Sequence, residues 1–396
     1  MRCDIRTIRL VMLAATLGGI FWVSAGDLNP PAGPVESTML PLNQVEARTP
    51  ISSLPFTIDQ GGSYFLTGSL TGVSGSNGIT VTAGDVTLDL NGFSLIGVPG
   101  SLDGIHVPGT IFNLTVRNGG VSFWKEDGVD AANALSSVIE NVRSFGNLGT
   151  GLKIGASSTI RNSGGPNGGD GISTGDGCSI TDCTANGSSG NGIVAGPHNR
   201  VANCTANFNG LIGIQVGTGS IVSSCTAAEN FGDGISMRLS VGCTVTGCTA
   251  VNNGGVGIRT GSAGAVVNCT AVDNISDGIR TGDASTVVNS TSQSNGNDGI
   301  RAGVSSTILG CAVRINDSLG ITVGGGSTIT ACTANSNVSK GILGFGTTVT
   351  SCTANGNGGL GIDCNLAVGN TAFNNDNIDI NANSLFNNDC DNCSQP

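Results

Sequence analysis

The sequence predicts an all-β chain folded as a right-handed parallel β-helix solenoid, with about 14 coils of ~21 residues and three short strands per coil. Three observations carry this prediction. A Gly followed by an aliphatic residue returns at near-constant spacing along most of the chain. An Asn holds the position four residues before that Gly. A Cys-Thr-Ala triplet ends seven residues before it. Composition agrees: Gly is 65 of 396 residues, aromatics are 4% and charged residues 11%, against roughly 25% charged in ordinary globular domains. A narrow stacked core takes Ile, Val, Ala and Cys, with Gly, Asn, Ser and Thr at its bends.

The first element, residues 1–25, reads as a signal peptide. Arg2, Arg6 and Arg9 give a basic start, Leu10 to Val23 is apolar, and Val23-Ser24-Ala25 supplies small residues for cleavage after Ala25. The apolar run is shorter than the ~20 residues of a spanning helix, and no membrane span is expected after cleavage. Cleavage would take three Arg and one Asp from 16 basic and 27 acidic residues, leaving a net charge of −13. So acidic a chain is not expected to bind nucleic acid or anionic membrane. Residues 26–50, with Pro30, Pro31 and Pro34, read as a Pro-rich linker and N-terminal cap. Residues 51–380 are the expected β-helix and 381–396 a C-terminal cap or tail.

Within the β-helix the Gly column includes Gly151, Gly171, Gly192, Gly213, Gly234, Gly257, Gly278, Gly299, Gly320, Gly341 and Gly361, with spacings of 20 to 23 residues. The 23-residue step, Gly234 to Gly257, implies a small insertion at a bend near Arg238 to Val241. The Gly-Ile segment is the first strand. A second carries Val or Ile three residues before the Cys, as in Val201 and Val222, and Cys-Thr-Ala is the third. Side chains alternate along a strand, so Ile, Cys and Ala face in and Thr faces out. Cys178 and Cys243 precede Cys183 and Cys248 at a metal-like spacing, but are expected to point elsewhere than the inward Cys column, so no zinc site is expected. The thiols are expected to be mostly buried and unpaired, with Cys364, Cys390 and Cys393 the candidates for a terminal disulfide.

Stacking places Asn209, Asn230, Asn253, Asn274, Asn295, Asn316, Asn337 and Asn357 directly over one another. Each amide can then donate to one neighbour and accept from the other, satisfying buried groups that would otherwise cost ~1–3 kcal/mol each. Ser188 interrupts the column. Asn also tolerates the left-handed backbone of tight bends, which the column is expected to adopt.

With its N-x-x-x-G-I-x-x-G coil, its Asn ladder and the Val86–Gly97 segment VTLDLNGFSLIG, the chain resembles the right-handed parallel β-helix proteins of the pectate-lyase-like superfamily. The resemblance covers roughly residues 51–380 and implies a fold; such proteins include polysaccharide lyases, hydrolases, epimerases, tailspikes and adhesins. It also implies that substrates lie on the Gly-Ile strand face. The catalytic motifs of these enzymes are not found: His106 and His198, the two histidines, lie in no Gly-His-Gly, and Asp-Asp and Asp-Pro-His-Glu do not occur.

On that face the outward residue after the Ile is Arg259, Arg280 and Arg301 on consecutive coils, with Asp277 and Asp298 beside the row and Asp283 at the next bend. A row of guanidinium groups suits repeating carboxylates or sulfates. The competing reading is mutual neutralisation of Arg and Asp on a solvated face. The Asp column before the Gly is expected to cap turns; Ca2+ between Asp277 and Asp298 is the alternative, and no other cofactor is expected. The sequence thus reads as an exported, secreted or cell-surface, non-catalytic β-helix that is structural or binds a polysaccharide or surface glycan. The alternative is a divergent lyase or hydrolase of acidic polysaccharide.

Overall fold

The computed structural model describes residues 48–395. The expected signal peptide, and the expected linker up to Ala47, lie outside these residues. Among the described residues every regular element is a strand, and all strand pairings are parallel. No helix among them is long and apolar enough to cross a membrane. The body is a parallel β-solenoid of about 16 turns, close to the number the spacing implies. Its first strand, Thr49–Ile51, begins inside the expected linker, and its last coils run past residue 380 through Ile380–Phe386 to Cys393–Ser394.

Three ladders run the length of the solenoid. In the Gly-Ile ladder, Ile235–Met237 pairs with Ile258–Thr260, then Ile279–Arg280, then Ile300–Ala302. In the second, Thr244–Thr246, Ala265–Val267 and Thr286–Val288 stack in register. In the third, Thr249–Val251, Thr270–Val272 and Thr291–Gln293 do the same. Every Ile of the Gly-Ile column from Ile172 to Ile380 is fully buried, and the Cys and Ala columns are buried with it, while the Thr between Cys and Ala is more exposed. Toward the C-terminus the first bend tightens, and Ile342–Thr350, Ile362–Val368 and Ile380–Phe386 run continuously across two faces. The coil shortens there because fewer residues remain to turn the corner.

The Asn ladder is present. Asn230, Asn253, Asn274, Asn295, Asn316 and Asn337 each donate from Nδ2 to the Oδ1 of the Asn one coil later, at 2.9 to 3.0 Å. Asn357 passes the chain to Asn375, which ends on Asp379. The same Oδ1 also accepts the backbone N–H of the preceding Asn, as Asn274 Oδ1 does from Asn253. The expected left-handed conformation falls one residue earlier, on Phe208, Glu229, Asn252, Asp273 and Ser294, all with φ between 54° and 57°. The ladder Asn must aim its amide into the core. The residue before it turns the chain and faces solvent, so the two tasks fall on separate positions.

Eleven described cysteines are free and buried. Cys178 and Cys243 also point inward, contrary to the expectation, in a bend column held mostly by Ser, with Asn199 and Gly264 among its rungs. There Ser158 N–H donates to Cys178 Sγ at 3.4 Å, and Asn199 N–H donates to Ser220 Oγ at 3.0 Å. Hydrogen bonding with the Cys183 thiol and burial push the Cys204 thiol up to about 12, and burial does the same for Cys364. These are packed small apolar groups. Of the three terminal candidates, Cys390 and Cys393 form the disulfide and Cys364 stays free.

Candidate functional site

Period-two alternation turns Arg259, Arg280 and Arg301 outward from the Gly-Ile ladder, where they pair in register on consecutive coils. Each leans on the Asp column that precedes the Gly. Arg259 is gripped by Asp233, Nε to Oδ2 at 3.1 Å and Nη2 to Oδ1 at 3.3 Å, and its side chain is only 17% exposed. Arg280 and Arg301 are held loosely, 3.7 Å from Asp277 and 3.9 Å from Asp298, and are 46% and 49% exposed. Both therefore keep donors that face solvent. At these separations neither arginine hydrogen-bonds its Asp, so the guanidinium donors are free for a ligand.

The carboxylates have a structural task as well. Asp233 Oδ1 accepts the N–H of Val256, Asp277 Oδ1 that of Asp298, and Asp298 Oδ1 that of Leu319. Asp thus caps a turn, as expected, but the turn belongs to the following coil. Asp277 and Asp298 each turn Oδ1 to a backbone N–H and Oδ2 toward an arginine.

Burial, reinforced by Asp298, holds the Asp277 carboxyl above the usual range. As pH rises, the unfolded chain releases this proton first, so stability falls from the ordinary Asp range upward through the folded value. Asp277→Asn keeps an oxygen for the Asp298 N–H. It is expected to match the wild type in acid and to become the more stable of the two by neutral pH. Denaturant unfolding at several pH values checks this; a difference that does not grow with pH contradicts it.

The insertion expected near Arg238 to Val241 forms one wall of a groove of about 740 Å³ along the Gly-Ile face. Arg238, Arg259, Arg280 and Arg301 line it from four successive coils, together with Asp283 and the buried Thr260 and Thr281. The hydroxyls of Thr260 and Thr281 are buried and make no hydrogen bond. Leu239, 92% exposed, crowns the wall. A recess of about 540 Å³ lies on its other side, lined by Gln215, Asp233 and Ser236 among others. The structure thus brings together the predicted Arg259, Arg280, Arg301 and Asp283, and adds Arg238 and Asp233. Asp277 and Asp298 sit behind the row as its buried partners. Among the described residues lining the groove, Asp283 is the one carboxylate, whereas glycoside hydrolysis uses a pair.

Residues 155–286 match the family described as the right handed beta helix region. No curated protein matches the sequence. Among solved structures, the A-module of the mannuronan C-5 epimerase AlgE4 from Azotobacter vinelandii is similar at 15% identity, over 85% of this chain and 88% of that one, with a TM-score of 0.36. The Dettilon tailspike protein is similar at 14% identity over 72% and 59%, with a TM-score of 0.40. The catalytic domain of a GH87 alpha-1,3-glucanase is similar at 14% identity over 80% and 60%, with a TM-score of 0.35. With that match over residues 155–286 and the same coil repeated through the described residues, the fold is a right-handed parallel β-helix.

Proposed function

We propose that the chain is an exported, non-catalytic β-helix that binds an acidic polysaccharide along the arginine groove. The observation that carries this reading is the row of guanidinium groups on consecutive coils, two of them half exposed and only loosely paired. Parallel strands repeat every ~4.8 Å, a length comparable to one sugar ring, so successive arginines can meet successive anionic groups of a polymer. The net negative charge of the chain does not prevent this. Beyond ~10 Å in physiological salt its field is screened, and the local row dominates at contact. The signal-peptide-like start supports export, and a secreted or cell-surface location gives such a groove its ligands.

Calorimetric titration with polygalacturonate, alginate, chondroitin sulfate and neutral dextran tests the reading. At least one anionic polymer is expected to bind in preference to dextran, with an affinity that falls as salt rises. Arg280→Ala is expected to weaken binding about tenfold, the ~1.4 kcal/mol of one charge-assisted contact. Equal affinity of wild type and Arg280→Ala for every anionic polymer contradicts the groove as the site. Release of unsaturated uronates or new reducing ends, lost in Arg280→Ala, replaces binding with catalysis.

A further inference from the structure

Five to six coils before the arginine groove, the Gly-Ile face carries a second cluster with different chemistry. Strand Ile105–His106 pairs with Val129–Ala131, which sets His106 beside Asp130. Asp103, at the bend that opens the same coil as His106, reaches the imidazole from the other side. His106 Nδ1 lies 2.9 Å from Asp103 Oδ2 and 3.5 Å from Asp130 Oδ2. The three donor atoms all fall within 4.8 Å of one another. Although so close to two carboxylates, His106 Nδ1 is shielded from solvent and makes no hydrogen bond. It thus faces an oxygen of each carboxylate.

We infer that Asp103, His106 and Asp130 form a binding site for a divalent transition-metal ion of the Zn2+ class. Donors bound to one Zn2+ at ~2.0–2.2 Å in tetrahedral geometry stand about 3.4 Å apart. The two separations from His106 Nδ1 already bracket that value. One imidazole with two carboxylates is the donor set of a borderline metal, whereas Ca2+ takes six to eight oxygens. The surroundings hold the donors in place. Asp103 is 5% exposed, and its second oxygen accepts the Asp127 N–H at 2.8 Å. The second oxygen of Asp130 faces Lys153 Nζ at 3.7 Å, and that ammonium is bonded to Asp127 at 3.2 Å. Such outer contacts orient ligands and tune the metal. They also leave three carboxylates facing one ammonium and one imidazole, an excess of negative charge that a divalent ion neutralises. The side chains of His106 and Asp130 are 27% and 22% exposed, so the remaining coordination positions open to water. This inference is independent of the arginine groove.

The test is calorimetric titration of ZnCl2 into the purified full chain after chelator treatment, with CaCl2 as a parallel arm and thermal unfolding as a second readout. One Zn2+ per chain is expected, with a higher unfolding temperature in Zn2+ than in chelator. His106→Ala and Asp130→Asn are each expected to weaken binding at least tenfold while leaving the far-ultraviolet spectrum unchanged. Lys153→Met, which leaves all three donors, is expected to keep or tighten it. Were one variant to fail to fold, the other still decides. Saturable Zn2+ binding absent from the wild type, binding undiminished in both variants, or a preference for Ca2+ would overturn the assignment.

Discussion

Asn274→Ala is expected to destabilise the solenoid by about 3–5 kcal/mol, among the largest losses open to a single side chain. The amide of Asn274 lies at a junction. Its Oδ1 accepts both the backbone N–H and the Nδ2–H of Asn253, at 3.1 and 2.9 Å. Its Nδ2 donates to Asn295 Oδ1 at 2.9 Å and to Ala250 O at 3.2 Å. Alanine removes all four contacts and strands two donors of Asn253, which is itself fully buried. Each stranded group costs ~1–3 kcal/mol because no water replaces the partner. The chain supplies its own control at Ser188, whose Oγ accepts the Asn167 N–H at 3.3 Å. Asn274→Ser keeps an acceptor there and is expected to lose roughly half as much. Denaturant unfolding of both variants measures this. Because a solenoid is stabilised coil by coil, amide exchange should also open first in the coils flanking residue 274. A loss below about 1 kcal/mol for the alanine variant would mean that the ladder does not hold the coils together.

Gly257→Ala is expected to cost about 2–4 kcal/mol, although Gly257 has no left-handed φ. Elsewhere in a strand, replacing such a glycine with alanine tends to stabilise by restricting the unfolded chain. The sign reverses here because a Cβ on Gly257 would stand 2.6 Å from Asn274 Nδ2 and 2.7 Å from Gly278 O. Neither can retreat, since one is fixed in the ladder and the other accepts the Ile258 N–H. The two predictions are therefore coupled. In a double-mutant cycle, removing the Asn274 amide makes room for the new methyl, and the paired loss should fall short of the sum by more than about 0.5 kcal/mol. Additive losses would separate the Gly column from the ladder.

That coupling explains why the repeat reads N-x-x-x-G-I. Periodicity made the columns visible, and alternation gave the inward Ile, Cys and Ala correctly. The reason for the Gly was not visible, because the atoms that exclude a side chain come from the next coil, 17 to 21 residues away. The same distance hid the owner of each capped N–H, which the Asp column finds one coil later.

The candidate sites divide along the same line. Arg259, Arg280 and Arg301 were legible because one strand position repeats at one spacing. Arg238 was not, since it lies in the insertion that breaks the spacing, and it meets the row only across the groove. In the sequence His106 stood out only for lying in no Gly-His-Gly. Asp103 lies three residues before it, in the Asp column that precedes the Gly, and Asp130 meets it only through the strand pairing of the next coil.

By itself, then, the sequence determined the coil: its period, its inward columns and the chain of amides, each of which repeats and so needs no contact map to be seen. Only the tertiary structure decided which side chains converge where the repeat is broken or varied. A periodic signal records what every coil shares, whereas a site is made from what individual coils do not share, and its members become neighbours only once the coils are stacked.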